Sequence, residues 1–175
     1  FKAIYIAGTN NTEGVAFVSR GDDSGTHNRE QQIWKAAGYN YTEDIQDSGP
    51  WYLETGSGMG ETLTVANQKD AYTLSDIGTY LAFKDQLALV ELVTEGDDLL
   101  NRYSAISVNP EQVPGVNINE ATNFTNWITS NETKEFIGNF GVEEYGQPLF
   151  VPLYAPECTQ PPFNCTCAEP VNATA

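Results

Sequence analysis

Residues 15–38, "VAFVSRGDDSGTHNREQQIWKAAG", constrain the fold more than any other stretch of the chain. The short apolar run at 15–20 has the length of a buried strand. It enters a turn of glycines, aspartates and serine. A helix follows from about Thr26 to Ala37, with Ile33, Trp34 and Ala37 on its apolar face and Gly38 at its stop. A strand that passes through a tight loop into an amphipathic helix belongs to an α/β architecture.

The rest of the chain repeats this alternation. Residues 1–9 read as the end of a helix and residues 39–60 as loop-rich, with "SGPWY" and "GSGMG" as turn signals. A helix over about Glu61–Gln68 precedes a short strand at 71–74. "SDIGTYLAF" reads as one or two helical turns capped by Ser75 or Asp76. The runs "LALVELV" (87–93) and "YSAISV" (103–108) are expected as strands. Residues 119–129 and 131–140 carry apolar residues at helical spacing, with a capping box from Thr129 to Glu132. The fold class expected is therefore α/β with at least partly parallel strands. In such sheets ligands bind beyond the carboxyl ends of strands, where loops lead into helix N-termini. "FVSRGDDSGTH" (17–27) has that layout. Trp51, Tyr52 and Tyr72 are expected to line the core or a cleft.

Charge limits the partners. The 24 acidic and 8 basic residues leave a formal net charge of −16, which disfavours nucleic acid and anionic membranes. No run of 18 apolar residues is present, so no membrane span is expected. An anion bound by this chain must be held by short-range donors against the long-range field, which salt screens beyond about 8–10 Å.

The loop at 19–27 offers such donors. Gly21 and Gly25 let the backbone turn its N–H groups inward. The first helical turn near Thr26 brings unpaired donors and a positive dipole end. Ser19, Ser24 and Thr26 add hydroxyls, and Arg20 adds a forked, permanently charged donor. The competing reading is an ordinary capped helix whose Arg20 pairs with Asp22 or Asp23. Other chemistries fit less well. Arg20-Gly21-Asp22 follows an apolar strand instead of lying at an exposed loop tip, unlike an integrin ligand. Asp22, Asp23 and His27 are neighbours in one tight loop and rarely converge on one metal. Ser24 and His27, three residues apart on one turn, have the wrong geometry for a nucleophile–base pair, and the chain has no other histidine. "ETGSGMG" has Thr55 where a nucleophile elbow needs glycine, and no Gly-Lys-Ser/Thr follows as in a P-loop. It reads either as a plain loop or as a second set of backbone donors. No catalytic set, cofactor or metal site emerges.

The blocks "FVSRGDDSGTH", "IWKAAG", "WYLETGSGMGETLTVAN", "AYTLSDIGTYLAF", "LVTEGDDLLNRYSAISVNP" and "NFTNWITS", in that order, resemble the tungstate-binding proteins of ABC importers. The resemblance runs from about residue 1 to 153. It implies a type II periplasmic-binding-protein fold, in which two α/β lobes close on an oxyanion without catalysis. It places residues 1–155 in that region, with about 15–110 in the second lobe and the remainder returning to the first, and leaves 156–175 as a Pro/Cys-rich tail. Ser19, Arg20, Ser24, Gly25 and Thr26 map onto the family's anion site, with tungstate or molybdate as ligand. Sulfate fits the same chemistry, because all three accept hydrogen bonds only. Phosphate keeps a proton and needs an acceptor such as Asp22 or Asp23. The family begins with a Thr/Ser-rich loop supplying half of the ligands. The opening "FKAIYIAG" reads as the middle of a folded element, so a missing N-terminal segment or second chain is expected to complete the cleft. The chain in isolation is then expected to be unstable or to associate. Ile77 stands where the family usually has arginine after the aspartate. This departure favours the alternative: an extracellular interaction or structural glycoprotein that kept the fold but lost or changed its ligand.

Six sequons, at Asn10, Asn40, Asn123, Asn131, Asn164 and Asn172, imply a secreted, N-glycosylated eukaryotic protein. Cys158, Cys165 and Cys167 lack a fourth ligand for zinc and are expected in an extracellular disulfide, one thiol remaining free or pairing outside the chain. Such an organism need not possess the matching membrane transporter.

Overall fold

In the computed structural model, which describes residues 1–153, the chain divides into two units, Phe1–Leu100 and the part from Asn101 onward. The first unit is organised around β1 (Phe17–Ser19), every residue of which is buried. β1 is the middle of a three-stranded parallel sheet of order β2-β1-β3, with β2 at Tyr52–Glu54 and β3 at Tyr72–Thr73. Phe17, Val18 and Ser19 align with Tyr52, Leu53 and Glu54 on one side; Phe17 and Val18 align with Tyr72 and Thr73 on the other.

Side chains on a strand alternate between faces, and this alternation builds both cores. Phe17 joins Trp34, Ile45, Trp51 and Tyr52 in an aromatic cluster against α2 (Gly25–Ala36). Val18 faces the other way and packs with Ala66 and Ala71 against α3 (Met59–Gln68). α1 (Lys2–Thr9) closes the aromatic side through Ile4 and Tyr5. α4 (Ile77–Phe83) packs on α3 through Met59, Leu63 and Tyr80. Helices thus cover both faces of the sheet at its central strand, which is buried throughout, whereas Leu53 and Tyr72 on the flanking strands are exposed.

In the second unit α5 (Ile118–Ile128) is followed by α6 (Asn131–Asn139) and the short α7 (Val142–Tyr145). Phe124, Trp127 and Phe136 are exposed there.

The α/β expectation holds, and the main helices lie within two residues of their expected bounds. Several expectations need correction. Residues 39–60, expected to be loop-rich, also contain a π-helical turn at Tyr41–Ile45 and strand β2. Residues 87–93 and 103–108 form no strand among the described residues. For the first run the reason is local. Asn67 accepts the Ala88 N–H at 2.7 Å and the Tyr80 hydroxyl donates to the Leu89 carbonyl at 3.2 Å, so side chains take the backbone groups a ladder would need. Residues 103–108 are exposed throughout. The cap of α6 is Ser130, whose hydroxyl accepts the Thr133 N–H, whereas Thr129 donates back to the Thr125 carbonyl. Of the two candidate caps for α4, Asp76 is used. Tyr72 is half exposed and outside the core. The tail at 156–175, with its cysteines and the sequons at Asn164 and Asn172, lies outside the described residues.

Gly8 tests the aromatic core. Alanine there would gain about 1 kcal/mol of helix propensity, but its Cβ would lie 2.3 Å from the Trp51 ring. That ring is held edge-on by Tyr5, Trp34 and Tyr52 and cannot give way. Overpacking of this kind costs about 1–3 kcal/mol. Gly8→Ala is expected to lower the urea midpoint without changing the m-value; an equal or higher midpoint would show that the ring yields.

Candidate functional site

The chain leaves β1 for α2 on one face, while β3 leads into α4 beside α3 on the other. The ends of β1 and β3 therefore flank a topological switch point, the place where open α/β sheets form a crevice. The β1 loop leaves the sheet at this point, and hydrogen bonds hold its backbone. Thr55 and Gly56 donate their N–H groups to the carbonyls of Ser19 and Arg20 at 3.0 and 2.8 Å. On the β3 side Thr73 donates its hydroxyl to the Val18 carbonyl at 2.7 Å.

Gly21 turns the loop. Its φ is +59°, and a Cβ on it would lie 2.6 Å from Glu54 Cβ, so both conformation and space require glycine. Asp22 then folds back. Its carboxylate takes Arg20 Nη2 at 2.5 Å and the Ser24 N–H at 3.2 Å. Its pKa lies below the ordinary value: burial pushes it up, but hydrogen bonds from Ser24 and the charge and hydrogen bond of Arg20 outweigh that. The Arg-Gly-Asp triplet thus closes on itself.

Ser24 caps α2, its hydroxyl accepting the His27 N–H at 3.3 Å, and Gly25 and Thr26 form the first turn. Their N–H groups have no intrahelical acceptor. His27 is a buried strut. Its Nδ1 accepts the Asp23 N–H at 2.9 Å, and its Nε2 meets the Tyr41 hydroxyl at 2.8 Å. Asp23 has φ +57° and an exposed carboxylate.

Arg20 combines features of both readings of this loop. Nη2 is paired with Asp22, as a capped helix would have it. Nε, however, is buried and has no hydrogen-bond partner among the described residues. A buried donor left unmade costs about 1–3 kcal/mol; Trp51 Nε1, in the aromatic core, is the other buried side-chain polar atom without a partner among the described residues.

Behind the loop lies a residue that sequence reasoning missed. Glu30 is buried on α2 and accepts hydrogen bonds from Ser19 Oγ at 2.6 Å, Trp34 Nε1 at 3.0 Å and Tyr52 OH at 2.7 Å. Ser19, expected to face the anion, therefore gives its proton to Glu30, and its oxygen accepts the Gly21 N–H at 3.2 Å. The available signal was helical spacing: Glu30 precedes Trp34 by one turn on the apolar face. Burial pushes the Glu30 carboxyl above its ordinary pKa, although the three hydrogen bonds and His27 oppose this. Tyr52 continues the network to the Tyr41 hydroxyl, which bonds Glu54; burial raises the pKa of both phenols.

The "GSGMG" loop is mainly structural. The Gly56 N–H is spent on Arg20 and the Ser57 N–H on Thr55 Oγ1, while Gly58 begins α3 without a side-chain cap. No cluster of three or more histidines, cysteines and acids able to hold a metal occurs among the described residues. No described helix is long and apolar enough to cross a membrane.

Comparison with known proteins identifies the family. The model of the PBP superfamily domain matches residues 1–132. The tungstate-binding protein TupA of Peptoclostridium acidaminophilum is 42% identical over 136 residues, which are 78% of this chain and 46% of that protein. A putative ABC transporter anion-binding protein of Haloferax volcanii is 45% identical, over 79% of this chain and 40% of that one. Among solved structures, tungstate-binding protein TupA of Desulfovibrio alaskensis superposes with a TM-score of 0.66 at 38% identity, covering 86% of this chain and 60% of that chain. The chain thus spans about half the length of the curated relatives it matches.

The raised Glu30 pKa has a consequence for stability. The native protein keeps this proton at pH values where the unfolded chain, near 4.5, has released it. The contribution is fully present below that value and is lost as pH rises through the folded one. Urea unfolding at a series of pH values should show the stability of the wild type falling relative to Glu30→Gln above pH 4.5, with a limiting slope of about 1.4 kcal/mol per pH unit. A difference that is flat or rises with pH would contradict the assignment.

Proposed function

Because the chain belongs to the PBP superfamily of periplasmic-binding-protein domains, we propose that it is the anion-holding part of a solute-binding protein that takes tungstate or molybdate and catalyses no reaction. One observation carries the reading: the buried, unpartnered Nε of Arg20 beside the first turn of α2. Arg20 is the charged ligand, and Ser19, Ser24, Gly25 and Thr26 are its neighbours in the site. Two relatives named for tungstate support this ligand class.

The ligand range follows from which acceptors remain. Asp22 is spent on Arg20 and Ser24 and stays ionised. With the Asp23 carboxylate exposed to solvent, the loop presents donors to an anion that only accepts, so tungstate, molybdate and sulfate are favoured over phosphate. The remaining donors come from a further segment or second chain that completes the cleft, as the length of the relatives supports. In this reading the protein is secreted, the sequons carry glycans, and the cysteines form a disulfide. Asn10, Asn40, Asn123 and Asn131 are all exposed, as glycan acceptors must be. Endoglycosidase treatment of the native protein should leave converted residues at these four positions; unmodified asparagine at all of them would remove the glycoprotein part.

The second reading, a glycoprotein with a lost or changed ligand, draws on α4. Its first residue is Ile77, and its cap is the Asp76 carboxylate, which takes the N–H and hydroxyl of Thr79. A negative charge at the end of β3 does not help an anion.

Calorimetry on the full-length protein separates the two. Tungstate and molybdate should bind more tightly than phosphate. Arg20→Ala should weaken tungstate by about tenfold to a hundredfold, the worth of one charge-assisted hydrogen bond. No heat with any of the anions, or equal binding by the variant, would favour the second reading.

A further inference from the structure

The two oxygens of Glu30 are not equivalent. Oε1 accepts two donors, Trp34 Nε1 at 3.0 Å and Tyr52 OH at 2.7 Å. Oε2 has a single partner, Ser19 Oγ at 2.6 Å. A proton can therefore reside on Oε2 without breaking a contact. The hydrogen bond reverses, Oε2–H donates to Ser19 Oγ, and Oε1 keeps both of its donors. Ser19 Oγ also accepts the Gly21 N–H at 3.2 Å. Both of its lone pairs are then used, and its own proton is released from Glu30.

Resting on the oxyanion reading above, we infer that Glu30 is the positioning residue that decides whether Ser19 donates to the bound oxyanion, and that binding takes up one proton from solvent at Glu30 Oε2. With Glu30 ionised, the Ser19 proton points backward to the carboxylate and the anion meets a lone pair. With Glu30 neutral, the same hydroxyl donates to the anion, and a negative charge behind the loop disappears. The proton goes from water to Oε2, and no other bond forms or breaks. The Tyr52 hydroxyl is the other acceptor within reach of Ser19, but a dianion is the stronger one.

The groups around Glu30 agree with this role. On its own helix His27 and Trp34 face it; from β2 comes Tyr52, joined through Tyr41 of the π-helical turn to Glu54. Ser19 faces it from β1, with Arg20 and Asp22 in the loop beyond. Both phenols are pushed upward by burial and keep their protons near neutrality. Burial likewise favours a neutral Glu30. Glu30→Gln reproduces the neutral arrangement, with Oε1 accepting from Trp34 and Tyr52 and the amide donating to Ser19, so it separates Glu30 from His27.

The test is calorimetric titration of full-length protein with micromolar tungstate, in two buffers of different ionisation enthalpy, between roughly pH 6 and 9. The wild type should take up a fraction of a proton that approaches one as pH rises, with affinity falling up to tenfold per pH unit. Glu30→Gln should show no uptake and a flat affinity profile. Ser19→Ala, which removes the relay without burying a new polar group, should bind more weakly and also without uptake. Tungstate binding by the wild type with no proton uptake at any pH, or the same uptake in either variant, overturns this inference alone. Absence of tungstate binding overturns it together with the oxyanion reading.

Discussion

The buried Glu30 carboxylate is the interaction on which the first unit depends. It sits in an aromatic core and joins three elements: α2, which carries it, β1 through Ser19, and β2 through Tyr52. An isolated charge in that position would be prohibitive. It is tolerated because three donors converge on it, and because neutralisation costs less than desolvation. The same contacts fix the height of α2 on the sheet, and with it the first turn that faces the loop. Packing of Trp34 and Phe17 alone would leave that position free to slide, since apolar contacts are not directional.

The β1–α2 loop, the proposed anion site, inherits this precision. Its backbone carbonyls are tied to Thr55 and Gly56, its turn is forced by Gly21 against Glu54, and Asp22 holds one end of the guanidinium. What remains is the Nε of Arg20, buried and without a hydrogen-bond partner among the described residues. A chain with a formal charge of −16 can attract a dianion only through such local donors, within a distance that salt does not screen. In the proposed reading the loop suits an acceptor-only dianion because Asp22 is paired with Arg20 and Ser24, while the Asp23 carboxylate is exposed to solvent. The chain spans about half the length of the curated relatives it matches.

Much of this was legible in the sequence, for identifiable reasons. β1, α2 and α3 were found because glycine turns bound apolar runs of distinct period; the Arg20 loop drew attention because donors crowd a strand-to-helix turn. β2 was not, because three residues, Tyr52–Glu54, are too few for alternation to register amid Gly and Ser. Residues 87–93 looked like a strand because apolar runs signal burial, yet Val90 is 72% exposed. Asn67 and Tyr80 had claimed the nearby backbone, a tertiary fact without a local signature. Glu30 escaped because carboxylates on helices are normally solvated, and only the fold brings Ser19, Trp34 and Tyr52 together around it. The direction of the Ser19 hydroxyl, and hence its role toward the ligand, follows from that encounter.

The most direct measurement is the position of tungsten, found by anomalous diffraction from crystals of the full-length protein grown with tungstate. The account predicts one strong tungsten peak whose oxygens lie within hydrogen-bonding distance of Arg20 Nε and the first-turn N–H groups of Gly25 and Thr26. A peak elsewhere, or a crevice filled by side chains with Arg20 Nε still unpartnered, would contradict it.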